Sequence, residues 1–324
     1  MKVFYISSGF QGIYNDIDQK IIKSIQECKH ECSTASLFSG LNHIKTEIMS
    51  FKPALILTTV GYTFPPQLRN WIYDRDLPIA VWLTEDPYYI DLTLPIIHKY
   101  NYVFTIDTAA YERYIEMDHK QVYYLPLGTD SEINRNMTKE AEYTSDICFI
   151  GSPYPNRIES IKYLLDHSNY KMIIAGPHWE EILKDYSHRS NLTIVSWIPP
   201  KLAAHYFSNA KINLNIHRPF DLKANANSNG VIPKSVNNRT FDIAACQSFQ
   251  LITPILTLPP HLENTKDILF FETNQELLDK VNDYVKNDHL RETMAKNARN
   301  NVLEHYTITR SLEKIFDIVE QKED

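Results

Sequence analysis

The chain has 324 residues, 43% hydrophobic and 23% charged, which is apolar surface enough for a substantial core and long for one domain, so two domains are expected. A formal net charge of -7 with no Lys/Arg run of nucleic-acid type argues against a nucleic-acid partner, so any phosphate must be met by a few local basic residues. The apolar run at residues 1–10 is too short for a signal peptide, and no later segment approaches the roughly 18 apolar residues of a membrane span; a soluble, cytoplasmic protein is expected.

Read for period, the first half offers strands at residues 3–7, 33–38, 54–60, 79–83, 102–106 and 122–125, with amphipathic stretches at 17–26, 67–73 and 109–117. Runs rich in Val, Ile, Leu and aromatics without period-two polarity suit strands covered on both faces, which predicts a parallel sheet with flanking helices. Residues 128–143 are polar, lack a strand pattern and include the charged stretch 138–142, so the domain linker is placed there. The second half repeats the scheme with candidate strands at 147–150, 172–175, 192–195, 212–216, 250–253 and 268–271. The last third is helical. Thr273 and Glu276 have capping-box spacing, Leu277, Leu278, Val281, Tyr284 and Val285 line one face, and amphipathic helices follow at 290–304 and 308–319. The expected architecture is α/β: two Rossmann-like domains, residues 1–135 and 136–307, with parallel sheets facing a central crevice and C-terminal helices, the last (308–324) able to complete the first domain.

The chain has only 8 glycines, and Gly9, Gly61, Gly151 and Gly176 each follow an apolar strand run. Glycine at the carboxyl end of a strand permits a tight turn or close approach of the backbone to a ligand, and in open parallel sheets those ends form the binding crevice. Of the four cysteines only Cys28 and Cys32 are near enough in sequence for a metal pair; with no two further ligands beside them, these and Cys148 and Cys246 read as packing residues, and no metal site is expected.

The stretch Asn238-Arg239-Thr240-Phe241-Asp242-Ile243-Ala244-Ala245-Cys246, preceded by Lys211-Ile212-Asn213-Leu214-Asn215-Ile216-His217-Arg218, resembles the donor-binding core of the CgeB family. These are spore maturation glycosyltransferases similar to the GT-B group that includes glycosyltransferase family 4. The resemblance continues through Asp146-Ile147-Cys148-Phe149-Ile150-Gly151-Ser152, through His305-Tyr306-Thr307 with Arg310, and, in the first half, through Trp82-Leu83-Thr84-Glu85-Asp86-Pro87, Phe104-Thr105-Ile106-Asp107 and Tyr124-Leu125-Pro126-Leu127. It implies a GT-B glycosyltransferase taking a sugar from a nucleotide diphosphate, a UDP-sugar by preference, with no cofactor and no metal. The acceptor it suggests is a surface or spore polysaccharide or glycoprotein.

The chemistry says why such residues are needed. A departing nucleoside diphosphate accumulates negative charge, which a metal-independent enzyme must meet with Arg, Lys, His or helix amino termini. Arg157 after Gly151 and Ser152, His217 and Arg218 at a strand end, and Asn238 and Arg239 at a helix start are the candidates, with Gly9 as a further donor-binding position. Asp242 stands where family 4 carries the acid that accepts hydrogen bonds from the ribose hydroxyls, and a carboxylate suits a vicinal diol. Trp197-Ile198 resembles the loop that holds the nucleobase, and His178 with Trp179 follows the strand end at Gly176. Two positions depart from family 4: Lys234 replaces a second Glu eight residues before Asp242, and Gln247 replaces a Gly after the Cys. For the base that deprotonates the acceptor, Glu85 and Asp86 follow the strand at 79–83. Two other readings stay open, a GT-B-type nucleotide-sugar epimerase and a non-catalytic two-lobed binding protein.

Overall fold

The computed structural model describes residues 1–321. The chain divides into two compact units. The first comprises Met1–Leu127, Phe220–Ser235 and residues 308–321; the second comprises Gly128–Pro219 and Val236–Thr307.

The first unit begins β1 (Lys2–Ile6), α1 (Ile13–Glu27), β2 (Glu31–Ala35), α2 (Leu41–Phe51), β3 (Leu55–Thr59), α3 (Pro66–Tyr73), β4 (Ile79–Leu83), α4 (Ile90–Thr93), β5 (Tyr102–Thr105), α5 (Thr108–Glu116) and β6 (Val122–Tyr124). Its parallel sheet runs β2-β1-β3-β4-β5-β6. Every residue of β3 and β4 is buried, because helices cover both faces of the sheet and their side chains, Leu-Ile-Leu-Thr-Thr and Ile-Ala-Val-Trp-Leu, are apolar or small. Asp107 begins α5 by accepting from the backbone N–H of Ala109 at 2.8 Å and of Ala110 at 3.4 Å, satisfying two donors that the first turn leaves open.

The second unit has β7 (Ser145–Ile150), α6 (Pro155–His167), β8 (Met172–Ala175), α7 (Trp179–Ile182), β9 (Leu192–Val195), α8 (Pro200–Asn209), β10 (Ala210–Asn215), α9 (Arg239–Ala245), β11 (Gln250–Ile252), β12 (Leu269–Phe270), α10 (Asn274–Tyr284) and α11 (Asp288–His305). Its strands are parallel in the order β12-β11-β10-β7-β8-β9. Thr273 caps α10 by accepting from the N–H of Glu276 at 3.1 Å. In each sheet the chain adds strands first to one side of the starting strand and then to the other. The reversal falls between β1 and β3 in the first unit and between β7 and β10 in the second, the places where open α/β sheets hold ligands.

A final helix, α12 (Ile308–Glu320), returns to the first unit. Ile308, Leu312, Ile315, Phe316 and Val319 are buried among Ile21, Ile25, Leu55 and Leu57, while Ser311 Oγ donates to the Pro126 carbonyl at 2.9 Å. The last residues of the predicted 308–324 helix, 322–324, lie outside the described residues.

Several details differ from the sequence reading. Residues 128–143, read as a linker, are part of the second unit, where Thr129 pairs with Thr307. Residues 220–235, read as second-domain sequence, fold with the first unit because Asp107 Oδ2 accepts from the N–H groups of Lys234 and Ser235 at 3.0 and 2.9 Å, and Asp91 Oδ2 accepts from that of Ser228 at 2.6 Å. The strand predicted at 33–38 is displaced to Glu31–Ala35; Ser36 instead accepts from the N–H of Phe38 and turns the chain. Among the described residues, no helix is long and apolar enough to cross a membrane.

Leu312 is fully buried in the α12 contact. Leu312→Ala is expected to cost about 2–5 kcal/mol of folding free energy, read as a lower urea midpoint with α12 still helical; a change below about 0.5 kcal/mol would mean that α12 contributes nothing to the first unit.

Candidate active site

In the second unit β7 ends in Gly151, and two guanidinium groups converge on it. A side-chain Cβ built on Gly151 would lie 2.9 Å from Arg239 Nη2, 3.2 Å from Arg157 Nη1 and 3.2 Å from Phe149 Cζ. A side chain there would require the Arg239 guanidinium to shift and Arg157 and Phe149 to give slightly. Arg157, buried on the first turn of α6, donates from Nε to the Ile216 carbonyl at 2.9 Å and from Nη1 to the Ser152 carbonyl at 3.1 Å, with its guanidinium 4.5 Å from the Tyr154 ring centroid and 5.5 Å from that of Phe149. Arg239 opens α9 with its guanidinium 5.9 Å from the Phe149 ring, and Arg218 lies 5.5 Å from the Tyr154 ring. Gly176 at the end of β8 is glycine for a related reason: a Cβ there would collide with the Gly151 carbonyl oxygen, which also accepts from Trp179 Nε1 at 2.7 Å.

A buried amide network holds α9 against the sheet. Asn215 on β10 donates to Thr240 Oγ1 at 2.9 Å and to Gln250 Oε1 at 3.0 Å, and accepts from Asn237 Nδ2 at 2.8 Å. His217 completes it. The N–H of Asn237 donates to its Nε2 at 3.3 Å, which places the ring proton on Nδ1, and Nδ1 donates to Thr253 Oγ1 at 2.8 Å. Burial, then the nearby Arg157 and Arg239 charges, push its pKa down to about 3. The sequence reading counted His217 among the cations for phosphate. Both ring nitrogens are thus engaged within the protein, which favours a neutral ring over the phosphate-binding cation expected from the sequence and ties the residue to the Asn237–Asn238 turn.

Asp242 lies three residues after Arg239. Its Oδ1 accepts from Thr129 Oγ1 at 2.8 Å and Asn134 Nδ2 at 2.9 Å, while Oδ2 receives Asn238 Nδ2 at 3.4 Å. Burial raises the carboxyl to about 6, against the hydrogen bond from Thr129 and the charge of Arg239. Thr129 and Asn134 were invisible to sequence reading, since they stand more than a hundred residues from Asp242 in a stretch that looks like linker. Beyond β8 and β9 a cavity of about 270 Å³ is lined by Gly176, His178, Trp179, Glu180, Glu181 and Ser196. Of the adjacent pair, Trp197 is 61% exposed and Ile198 is buried among Cys148, Ile173 and Ala175.

Gly9 belongs to the first unit, unlike the other donor-binding candidates. The two candidate bases there have different surroundings. Asp86 is 3% exposed, and both oxygens are occupied: Thr105 Oγ1 donates at 2.7 Å to Oδ2, and the Tyr114 hydroxyl lies 3.0 Å from each oxygen. Burial, with the neighbouring Asp107 and Glu85 charges, raises it to about 7. These hydrogen bonds tie the turn after β4 to β5 and α5. Glu85 is partly exposed and accepts from the Tyr14 hydroxyl at 2.6 Å, which also lies 2.8 Å from Thr84 Oγ1.

A family model described as glycosyl transferase-like matches residues 157–317. The spore protein CgeB of Bacillus subtilis (strain 168) is 36% identical over 253 residues, 78% of this chain and 79% of that protein. The chain belongs to the CgeB family of glycosyltransferases. Solved structures similar to this CgeB-family chain include sucrose-phosphate synthase from Thermosynechococcus elongatus, with TM-score 0.72 at 10% identity over 99% of this chain and 100% of that one. An alpha-glucosyltransferase in complex with UDP has TM-score 0.72 at 10% identity over 98% and 99%, and HepE of Anabaena in complex with UDP and glucose has TM-score 0.66 at 10% identity over 99% and 100%. At such identity the likeness shows the fold, which is GT-B.

Gly151→Ala in the CgeB-family chain is expected to displace both guanidinium groups and to weaken UDP binding on the order of tenfold or more by calorimetry. Undiminished UDP affinity in the folded variant would separate Gly151 from any phosphate site.

Proposed function

We propose that this CgeB-family chain transfers a sugar from a UDP-sugar to an acceptor hydroxyl without a metal ion, with the donor held by the second unit. The observation that carries this is the convergence of Arg157 and Arg239 on Gly151 at the β7/β10 reversal, a cationic, glycine-opened strand end of the kind a diphosphate requires. Structural relatives are solved with UDP, which supports uracil as the base.

In this reading Arg157 and Arg239 bind the two phosphates, and Asp242 Oδ2, which carries one long hydrogen bond, accepts from the ribose diol. The cavity beside β8 and β9, with Trp197 near it in sequence, serves the nucleoside. Chemistry consists of attack by the acceptor oxygen on the anomeric carbon. The acceptor proton passes to a base, for which Glu85 is the accessible carboxylate, the bond from the anomeric carbon to the diphosphate oxygen breaks, and its electron pair leaves with UDP. The guanidinium groups meet the charge that grows on that oxygen, a contribution worth most in the transition state.

Hydrolysis of UDP-sugars in the presence of EDTA tests this directly: slow release of UDP from at least one UDP-sugar is expected, with Arg239→Ala reducing it by on the order of a hundredfold. Activity abolished by EDTA and restored by manganese or magnesium would overturn the metal-independent reading.

The raised carboxyl of Asp242 gives a second test, with UDP-glucose as the probe. The folded chain holds this proton more tightly than the unfolded chain, whose ordinary value is 3.8, so the group's contribution to stability is greatest below that value and is lost as pH rises through about 6. Donor affinity should run the other way, strengthening on the order of tenfold from pH 5 to pH 7 as the carboxylate forms, with the dependence absent in Asp242→Asn. A wild-type affinity flat across that range would remove Asp242 from the ribose.

A further inference from the structure

The segment Phe220–Ser235 is held on the first unit at two places. At its end Asp107 Oδ2 accepts from the N–H groups of Lys234 and Ser235. In its middle Asp91, on α4, closes a polar turn. The Asp91 N–H donates to the Ala226 carbonyl at 3.0 Å, and its Oδ2 accepts from the N–H of Ser228 at 2.6 Å. Its Oδ1 accepts from Asn229 twice, from the N–H at 3.3 Å and from the side-chain Nδ2 at 2.6 Å. Partial burial raises the Asp91 carboxyl less than these bonds together lower it, to about 2, so the group is an anion at neutral pH.

Asn229 is followed by Gly230, the one Asn-Gly pair in the sequence. Ser228, Asn229 and Gly230 are exposed, and Gly230, at φ 65°, has nothing within 4 Å of the place a Cβ would take. The side-chain amide of an asparagine is an electrophile that the next backbone nitrogen can reach through a five-membered ring. A side chain on the next residue obstructs that approach, and glycine has none. The other asparagines of the segment lack this combination. Asn225 is half-buried and precedes Ala226, while Asn227 precedes Ser228 and has its side chain bonded to the Val231 N–H and carbonyl at 3.0 and 2.9 Å.

We propose that Asn229 is a self-modifying site, where water converts the amide to a carboxylate and the product expels the 226–230 turn from Asp91. The Gly230 nitrogen attacks Asn229 Cγ, the Cγ–Nδ2 bond breaks, and Nδ2 takes up the Gly230 proton and leaves as ammonia. Water then opens the cyclic imide at either carbonyl, its oxygen ending in the carboxyl product, which gives aspartate or isoaspartate. One water is consumed and one ammonia released, with no oxidant, metal or second protein. The folded turn holds the reaction back: the Gly230 N–H donates to the Asn227 carbonyl at 3.1 Å, and the Asn229 amide is tied to Asp91. Reaction therefore proceeds from the opened turn, and Asp91 sets its rate. The product does not restore the hold, because the donor that stood 2.6 Å from Asp91 has become a second anion. The middle of the segment is thus released with age while Asp107 keeps its end.

The test incubates the full chain at mildly alkaline pH in heavy-oxygen water and maps its peptides by mass spectrometry with fragmentation that separates aspartate from isoaspartate. Position 229 should take up the label on the order of tenfold faster than any other asparagine. Asp91→Ala should speed conversion at Asn229 about threefold or more by freeing the turn. In Asn229→Asp, amide hydrogen exchange at Ser228 and at position 229 should rise about tenfold, while exchange at Lys234 and Ser235 stays within about twofold. Melting temperatures show that the variants are folded, and incubation of the wild type alone decides the modification should Asp91→Ala not fold. The inference is overturned if the wild type keeps its amide at Asn229, if folded Asp91→Ala converts no faster, or if exchange in Asn229→Asp is unchanged at the turn or rises equally at Lys234 and Ser235.

Discussion

Two cations aimed at one glycine set the terms for the second unit. Like charges so placed repel, and their cost is met by neutral acceptors: the Ile216 and Ser152 carbonyls for Arg157, and the faces of Phe149 and Tyr154. The same field bears on His217. Burial first, and then these two charges, lower the pKa of its imidazole, and both ring nitrogens hydrogen-bond within the protein. It also explains both glycines, since Gly151 leaves room for the guanidinium groups and Gly176 leaves room for the Gly151 carbonyl. Donors held in place before an oxyanion forms are the condition under which electrostatic stabilisation contributes most.

In the first unit burial separates two neighbouring carboxylates. Glu85 and Asp86 are adjacent in sequence, yet one is partly exposed under a tyrosine hydroxyl and the other is sealed beneath Thr105 and Tyr114. The raised pKa of Asp86 is the mark of its enclosure, and a perturbed carboxyl is therefore a poor guide to the base here unless access is considered with it. Tyr14 bonds the partly exposed partner, and Phe10 packs beside Tyr14.

Much of this was legible in the chain. Uninterrupted apolar runs such as those at 79–83 and 172–175 can be satisfied only by strands covered on both faces, and glycine directly after a strand marked the ends that matter, Gly151 and Gly176 above all. The motif from Asn238 to Cys246 located α9, with Arg239 and Asp242 on one turn. What stayed hidden depends on tertiary proximity. Nothing local announces that Thr129 and Asn134 hold Asp242, that residues 220–235 fold with the first unit, or that His217 is too well surrounded to carry charge. Strand β2 slipped for a local reason: Ser36 caps a turn where the apolar pattern alone prolongs the strand.

The two departures from the family 4 pattern acquire a physical meaning from this arrangement. Lys234, eight residues before Asp242, stands on the segment that folds with the first unit, where its ammonium pairs with Glu112 at 2.5 Å and its N–H donates to Asp107. An acid at this position would face Glu112 and the Asp107 carboxylate, so the substitution to Lys suits the local charges, and the residue is occupied in anchoring the segment. Gln247 stands at positive φ just after α9, a conformation glycine adopts without cost; its N–H donates to the Ala244 carbonyl at 2.9 Å, which holds the turn despite the side chain. The acid that family 4 directs at the donor sugar thus has no counterpart at Lys234, while Arg239 and Asp242 keep their places on α9. The stereochemical course of transfer therefore does not follow from the family 4 pattern.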